Sequence, residues 1–117
     1  MRNFKELLIW QKGMDIWEES YKFTRLLPSD ERFGLVSQIN RASSSIPANI
    51  AEGASRKGVK DQARFVQIAL GSTFELETFF VGILRLRLAE KSEIDRILQL
   101  IIEEQKMLSG YLKKLGT

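Results

Sequence analysis

Hydrophobic positions recur along this chain at alternating spacings of three and four, the period of an amphipathic α-helix. No stretch shows the period of two that a half-buried strand needs. Four helices are predicted. The first, over residues 9–27, carries an apolar seam at Trp10, Met14, Trp17, Tyr21 and Thr24, with a second seam at Ile9, Ile16, Phe23 and Leu27, and Pro28 stops it. Residues 2–7 precede it as an extended or frayed arm with Phe4 and Leu7 free to dock. The second spans residues 31–53, with Ser29 or Asp30 as its cap, and is kinked near Pro47, where Ser43, Ser44 and Ser45 can serve freed backbone groups. A helix that breaks at Ile46 and restarts at Pro47 is the rival reading.

The third helix, residues 59–89, has its seam at Phe65, Ala69, Ser72, Leu76, Phe79, Ile83 and Leu86. A further stripe (Leu70, Phe74, Val81, Leu84, Leu88) gives it more apolar surface than one bundle face can cover. The fourth, residues 93–115, opens on Ser92 and Asp95 as a capping-box-like start; its seam is Ile94, Leu98, Ile101, Gln105, Leu108, Leu112 and Leu115. Short connections between four such helices predict an all-α, antiparallel up-down-up-down four-helix bundle, one domain over residues 1–117. The surplus apolar stripes predict self-association.

Composition removes most chemistry. With no Cys and no His among 117 residues, disulfides, thiolate chemistry, imidazole catalysis and the commonest metal ligands are all missing. No catalytic residue, metal or cofactor is therefore expected. FFVGIL is the longest notable apolar run, far below the roughly 20 residues of a spanning helix, and charges interrupt the N-terminal stretch. The chain is expected to be cytoplasmic, with no membrane partner.

The unusual stretch is Gln38–Gly53, QINRASSSIPANIAEG. Beside its apolar stripe runs a polar one at helical spacing: Gln38, Arg41, Ser45, Asn49 and Glu52. Small residues dominate, so a neighbouring helix can approach closely and catch these groups at an interface. In an antiparallel pair joined through residues 53–58, Arg41 and Gln38 are expected to reach Glu75 or Ser72, with Asn49 and Glu52 in the same partly buried network. Loss of Arg41 would then cost about 3 kcal/mol. Glu52, Glu75 and Glu77 also invite a di-metal reading, but such bundles need Glu-x-x-His pairs, and interhelical polar partnership accounts for them better.

A net charge of +3 does not by itself diagnose a nucleic-acid binder. Its distribution adds something. The predicted topology gathers Arg2, Lys5, Arg56, Lys57, Lys60, Arg64, Lys113 and Lys114 at one end against Glu6, Glu52 and Asp61, a local +5 that exceeds the whole chain's +3. Lys60 and Arg64 are like charges four apart at a helix start, where the dipole disfavours cations. They are retained either for an anion or as part of an ordinary solvated end. No aromatic residue interleaves the cluster, so base stacking and sequence reading are not indicated.

The segments FKELLIWQK, LPSDERFGLVSQINRASSSIPANIAEGASRKG and RFVQIALGSTFELE resemble the small four-helix-bundle family encoded within 23S rRNA intervening sequences, which includes the accessory variability proteins of diversity-generating retroelements. A central signature is carried by Gln38, Arg41, Ala42, Ser45, Ile46, Asn49, Ile50, Ala51, Glu52, Gly53 and Arg56; Phe65, Ala69, Gly71, Ser72, Glu75 and Glu77 match a second. The resemblance implies a closed ring of bundles, a homopentamer, and in retroelement relatives contact with a reverse transcriptase and with RNA or DNA through a basic surface. The expected function is thus a non-enzymatic oligomeric scaffold or adaptor that touches nucleic acid through Arg56, Lys57, Lys60, Arg64, Lys113 and Lys114. The alternative is a protein–protein module, docking a reverse transcriptase or another partner, with no nucleic-acid contact.

Overall fold

The computed structural model describes residues 3–117, and its four helices form an elongated bundle of 43 × 22 × 20 Å. They are α1 (Leu8–Thr24), α2 (Ser37–Ala54), α3 (Val59–Arg85) and α4 (Lys91–Leu115). Cross-links between neighbours run in opposite senses along the chain: Lys12 to Glu103 and Glu19 to Arg96 join α1 to α4, and Ser45 to Ser72 and Arg41 to Glu75 join α2 to α3. The order is therefore up-down-up-down, with α1 and α3 on one diagonal and α2 and α4 on the other. The predicted all-α bundle is the observed fold.

The core of α1 is Ile9, Gly13, Ile16, Ser20 and Phe23, continued by Leu27. That reverses the expected order of seams: Trp17 and Tyr21 are exposed, and Trp10 and Met14 only half-buried. Gly13 lets α2 approach closely, since a Cβ there would stand 3.3 Å from Ile46 Cγ2 and 3.4 Å from the Pro47 nitrogen. Phe23 then meets Phe80 edge-on across the diagonal at 5.3 Å. Opposite them, Ile39, Ala42, Ile46 and Ile50 of α2, Leu76 and Ile83 of α3, and Ile94, Ile101 and Leu108 of α4 are essentially inaccessible.

The ends differ from expectation in several places. Phe4–Glu6 is a 3₁₀ turn capped by Asn3, Leu7 is buried, and Phe4 packs edge-on against Trp10 at 5.4 Å, so these residues form no free arm. A 3₁₀ turn (Ser29–Glu31) and a π-helical stretch (Arg32–Val36) lead into α2. α2 continues through Pro47 as one helix. The hydroxyls of Ser43, Ser44 and Ser45 donate to the carbonyls of Asn40, Arg41 and Ala42, three residues back; they do not reach the Ser43 carbonyl that Pro47 deprives of a donor. α4 begins at Lys91 and not after Ser92, with the Glu93 carboxylate accepting from the Glu90 N–H at 2.9 Å.

α3 stops early, at Arg85, in a Schellman turn: Leu88 N–H donates to Ile83 C=O and Arg87 N–H to Leu84 C=O. Arg87 holds the left-handed position there, at φ 57°. α3 is also, among the described residues, long and apolar enough to cross a membrane by length and composition, which corrects the reading taken from the FFVGIL run. In this fold it packs between α2 and α4.

Candidate nucleic-acid interface

The α2–α3 hairpin is closed by its own backbone. Ser55 and Arg56 N–H groups return to the carbonyls of Glu52 and Gly53, and the Gln62 amide donates to the Arg56 carbonyl at 2.7 Å. Gly53 makes this possible. A Cβ there would stand 3.0 Å from Phe65 Cβ and 3.2 Å from the Gln62 carbonyl oxygen. With the helices antiparallel, the start of α1, this hairpin and the end of α4 lie at one pole, which brings together the cations named from the sequence. Arg2 lies outside the described residues.

Lys5 lies over the Phe4 ring at 5.9 Å, and the other six described cations fall into two groups. The guanidinium groups of Arg56 and Arg64 lie 4.8 and 4.5 Å from the centre of the Phe65 ring. Asp61 pairs with both, at 3.8 and 3.3 Å, and Glu52 adds a contact to Arg56 at 3.5 Å. The unfavourable cations at the start of α3 are thus partly compensated. An aromatic residue does sit inside the cluster, correcting the sequence reading, although two guanidiniums occupy its ring. Lys57, Lys60, Lys113 and Lys114 form the second group: all are exposed and, among the described residues, none has an ion-pair partner. Lys114 borders a groove of about 630 Å³ with Glu6, Leu8 and Tyr111, which ties the end of α4 to the start of α1.

The expected polar network separates into three pieces. Arg41 Nη2 binds Glu75 at 2.5 Å and Gln38 at 3.1 Å, but the Arg41 and Glu75 side chains are 56% and 39% exposed. The pair belongs to the surface, so the cost of about 3 kcal/mol is corrected to at most about 1. Ser45 and Ser72 share a 2.6 Å hydroxyl bond at the α2–α3 contact, and Asn49 returns to the Ser45 carbonyl at 2.8 Å. Glu52 belongs to the Arg56 cluster. Glu77, two residues beyond Glu75, faces α4 and accepts from Gln105 at 2.7 Å.

One residue that the sequence reading passed over is the most unusual in the molecule. Glu104 is fully inaccessible, and neither of its oxygens has a hydrogen-bond partner among the described residues. Its place three residues after Ile101 and four before Leu108 marks a core position, so the periodicity itself held the signal. Two apolar strips remain on the outside. Met14, Trp17 and Tyr21 line a groove of about 450 Å³ on α1, and Phe74 and Val81 are exposed along one face of α3. A Cβ at Gly71 or Gly82 would meet nothing within 4 Å, so close packing inside the bundle does not explain those glycines.

These features define a small all-α bundle with a cationic pole and two uncovered apolar strips. The chain belongs to the 23S rRNA-intervening sequence protein family, whose model matches residues 5–110. It is also similar to a protein of unknown function from the S23 ribosomal protein family of Bacteroides thetaiotaomicron VPI-5482. That crystal structure has a TM-score of 0.84 and 22% identity, with 91% of this chain and 99% of that one covered. At such identity the likeness concerns the fold. No curated protein matches the sequence.

Proposed function

We propose that this chain is a non-enzymatic, self-associating scaffold that holds nucleic acid by its phosphate backbone at the cationic pole. The observation that carries the reading is the quartet Lys57, Lys60, Lys113 and Lys114, exposed at one end without carboxylate partners among the described residues. Unpaired lysines give up little when they meet phosphate, and summed charge governs such binding. Self-association is supported by the apolar strips of α1 and α3, which lie on diagonal helices and so face away from each other. Strips of unlike composition on opposite sides favour head-to-tail contacts, which can close into a ring. Five copies is the number the family resemblance implies, and a ring would repeat the lysine quartet around one rim.

Binding of duplex DNA and structured RNA, titrated against salt, tests this. Four phosphate contacts per chain give a slope of log K on log[salt] of about −3.6 on duplex DNA. Lys57→Glu with Lys60→Glu should abolish binding and leave the assembly's mass unchanged. Survival of binding in that double variant refutes the site. The second reading, a docking module for a protein such as a reverse transcriptase, is favoured by the aromatic groove of Met14, Trp17 and Tyr21. Absent or salt-independent nucleic-acid binding would select it.

A further inference from the structure

Glu103 and Glu104 are adjacent and chemically identical, yet they live in opposite surroundings. Glu103 accepts from Lys12 at 2.7 Å and from Gln99 at 3.0 Å, and these bonds hold its carboxyl below the usual range. One residue on, the helix turns Glu104 into the core. There a Cβ built on Gly13 would stand 3.2 Å from Glu104 Oε2, 3.3 Å from Ile46 Cγ2 and 3.4 Å from the Pro47 nitrogen. The carboxyl therefore fills the space left by the missing side chain of α1, facing the step of α2 where proline supplies no N–H.

The charged groups around it do not compensate a carboxylate. From α1 come Lys12, whose ammonium is already bonded to Glu103, and Asp15, which repels. α2 presents Ile46 and Pro47, neither titratable. α3 turns Glu77 toward α4, where it takes the Gln105 amide. α4 itself adds Glu103 and Lys106, the latter acting on Glu103. A buried carboxylate with neither oxygen satisfied is among the costliest groups a core can hold, whereas the neutral acid is far cheaper and carries a donor. Burial accordingly pushes the Glu104 carboxyl up to about 8, with Lys12 opposing and Asp15 assisting.

We propose that Glu104 is a proton-controlled latch: as the neutral acid it lets α4 close on Gly13 of α1 and the Pro47 step of α2, and loss of the proton drives these helices apart until water reaches the carboxylate. In the open form the carboxyl regains its ordinary value of 4.5. The opening equilibrium then grows about tenfold per pH unit between that value and about 8, and levels off above.

The test is a carboxyl-carbon NMR titration of the full chain, with amide hydrogen exchange at pH 5 to 9 on the same protein and on Glu104→Gln. Glu104 is expected to titrate near 8. Protection of amides around Gly13, Pro47 and Glu104, corrected for intrinsic exchange, should fall about tenfold per pH unit up to 8 and stay flat in Glu104→Gln. Titration of Glu104 in the ordinary carboxylate range overturns the latch, and this reading needs no variant to fold. So does an equal slope in Glu104→Gln, or protection around Gly13, Pro47 and Glu104 that equals that of the most protected amides at every pH, which would make the opening global unfolding.

Discussion

Gly53 and Gly110 both lie in helices, and exchanging each for alanine should move stability in opposite directions. At Gly110, on the exposed side of α4, an added Cβ meets nothing within 4 Å, so Gly110→Ala collects only the helix-propensity gain of about 1 kcal/mol. At Gly53 the methyl would be held 3.0 Å from Phe65 Cβ and 3.2 Å from the Gln62 carbonyl. Neither atom is the end of a flexible side chain. Relief requires moving the α3 backbone, and overpacking of that kind costs about 3 kcal/mol at its upper range. After the propensity gain, Gly53→Ala should lose about 2 kcal/mol, leaving the two variants about 3 kcal/mol apart. Urea unfolding followed by circular dichroism measures this, with midpoints separated by about 2 M for an m-value near 1.5 kcal/mol/M. If both variants gain stability equally, the close approach of α2 and α3 is not what fixes glycine at position 53.

A double-mutant cycle on Arg41 and Glu75 should return a coupling below about 1 kcal/mol that shrinks with added salt, because the pair is exposed. Arg87→Gly should raise stability by about 1 kcal/mol in thermal unfolding, by removing a side chain from a left-handed position. For Glu104 the folded value lies above the unfolded one, so its stabilising effect is complete below pH 4.5 and is lost as pH rises toward about 8. Glu104→Gln should therefore be more stable than the parent by roughly 3 kcal/mol at pH 7 and by little at pH 4.5, read from urea midpoints at both. Phe74→Arg, on the exposed strip of α3, should lower the mass found by sedimentation toward that of one chain; an unchanged mass removes that strip from the proposed contact.

Helical period made the class of fold legible, since patterning at three and four leaves few alternatives to a bundle. It did not rank the stripes within a helix. On α1 the heavier residues, Trp17 and Tyr21, drew attention away from Gly13, whose value lies in its smallness and appears only once α2 is alongside. The partnership of Arg41 with Glu75 was readable from register, but its exposure was not, because a register gives level along the axis and not depth. Phe65 escaped notice inside the cationic cluster because its spacing puts it on the apolar seam of α3, although it directly follows Arg64; that Arg56 also reaches it across the hairpin is not visible in the sequence. Glu104 was readable from spacing alone. It was passed over because a glutamate beside a glutamate in a charged segment looks like water-facing surface.

The formal charge of +3 counts every glutamate as an anion. With the Glu104 carboxyl pushed up to about 8, most folded chains keep that proton at neutral pH, and the native charge moves from +3 toward +4. Unfolding in neutral solution would release that proton into the buffer, so the heat of denaturation should vary with the buffer's own ionisation enthalpy.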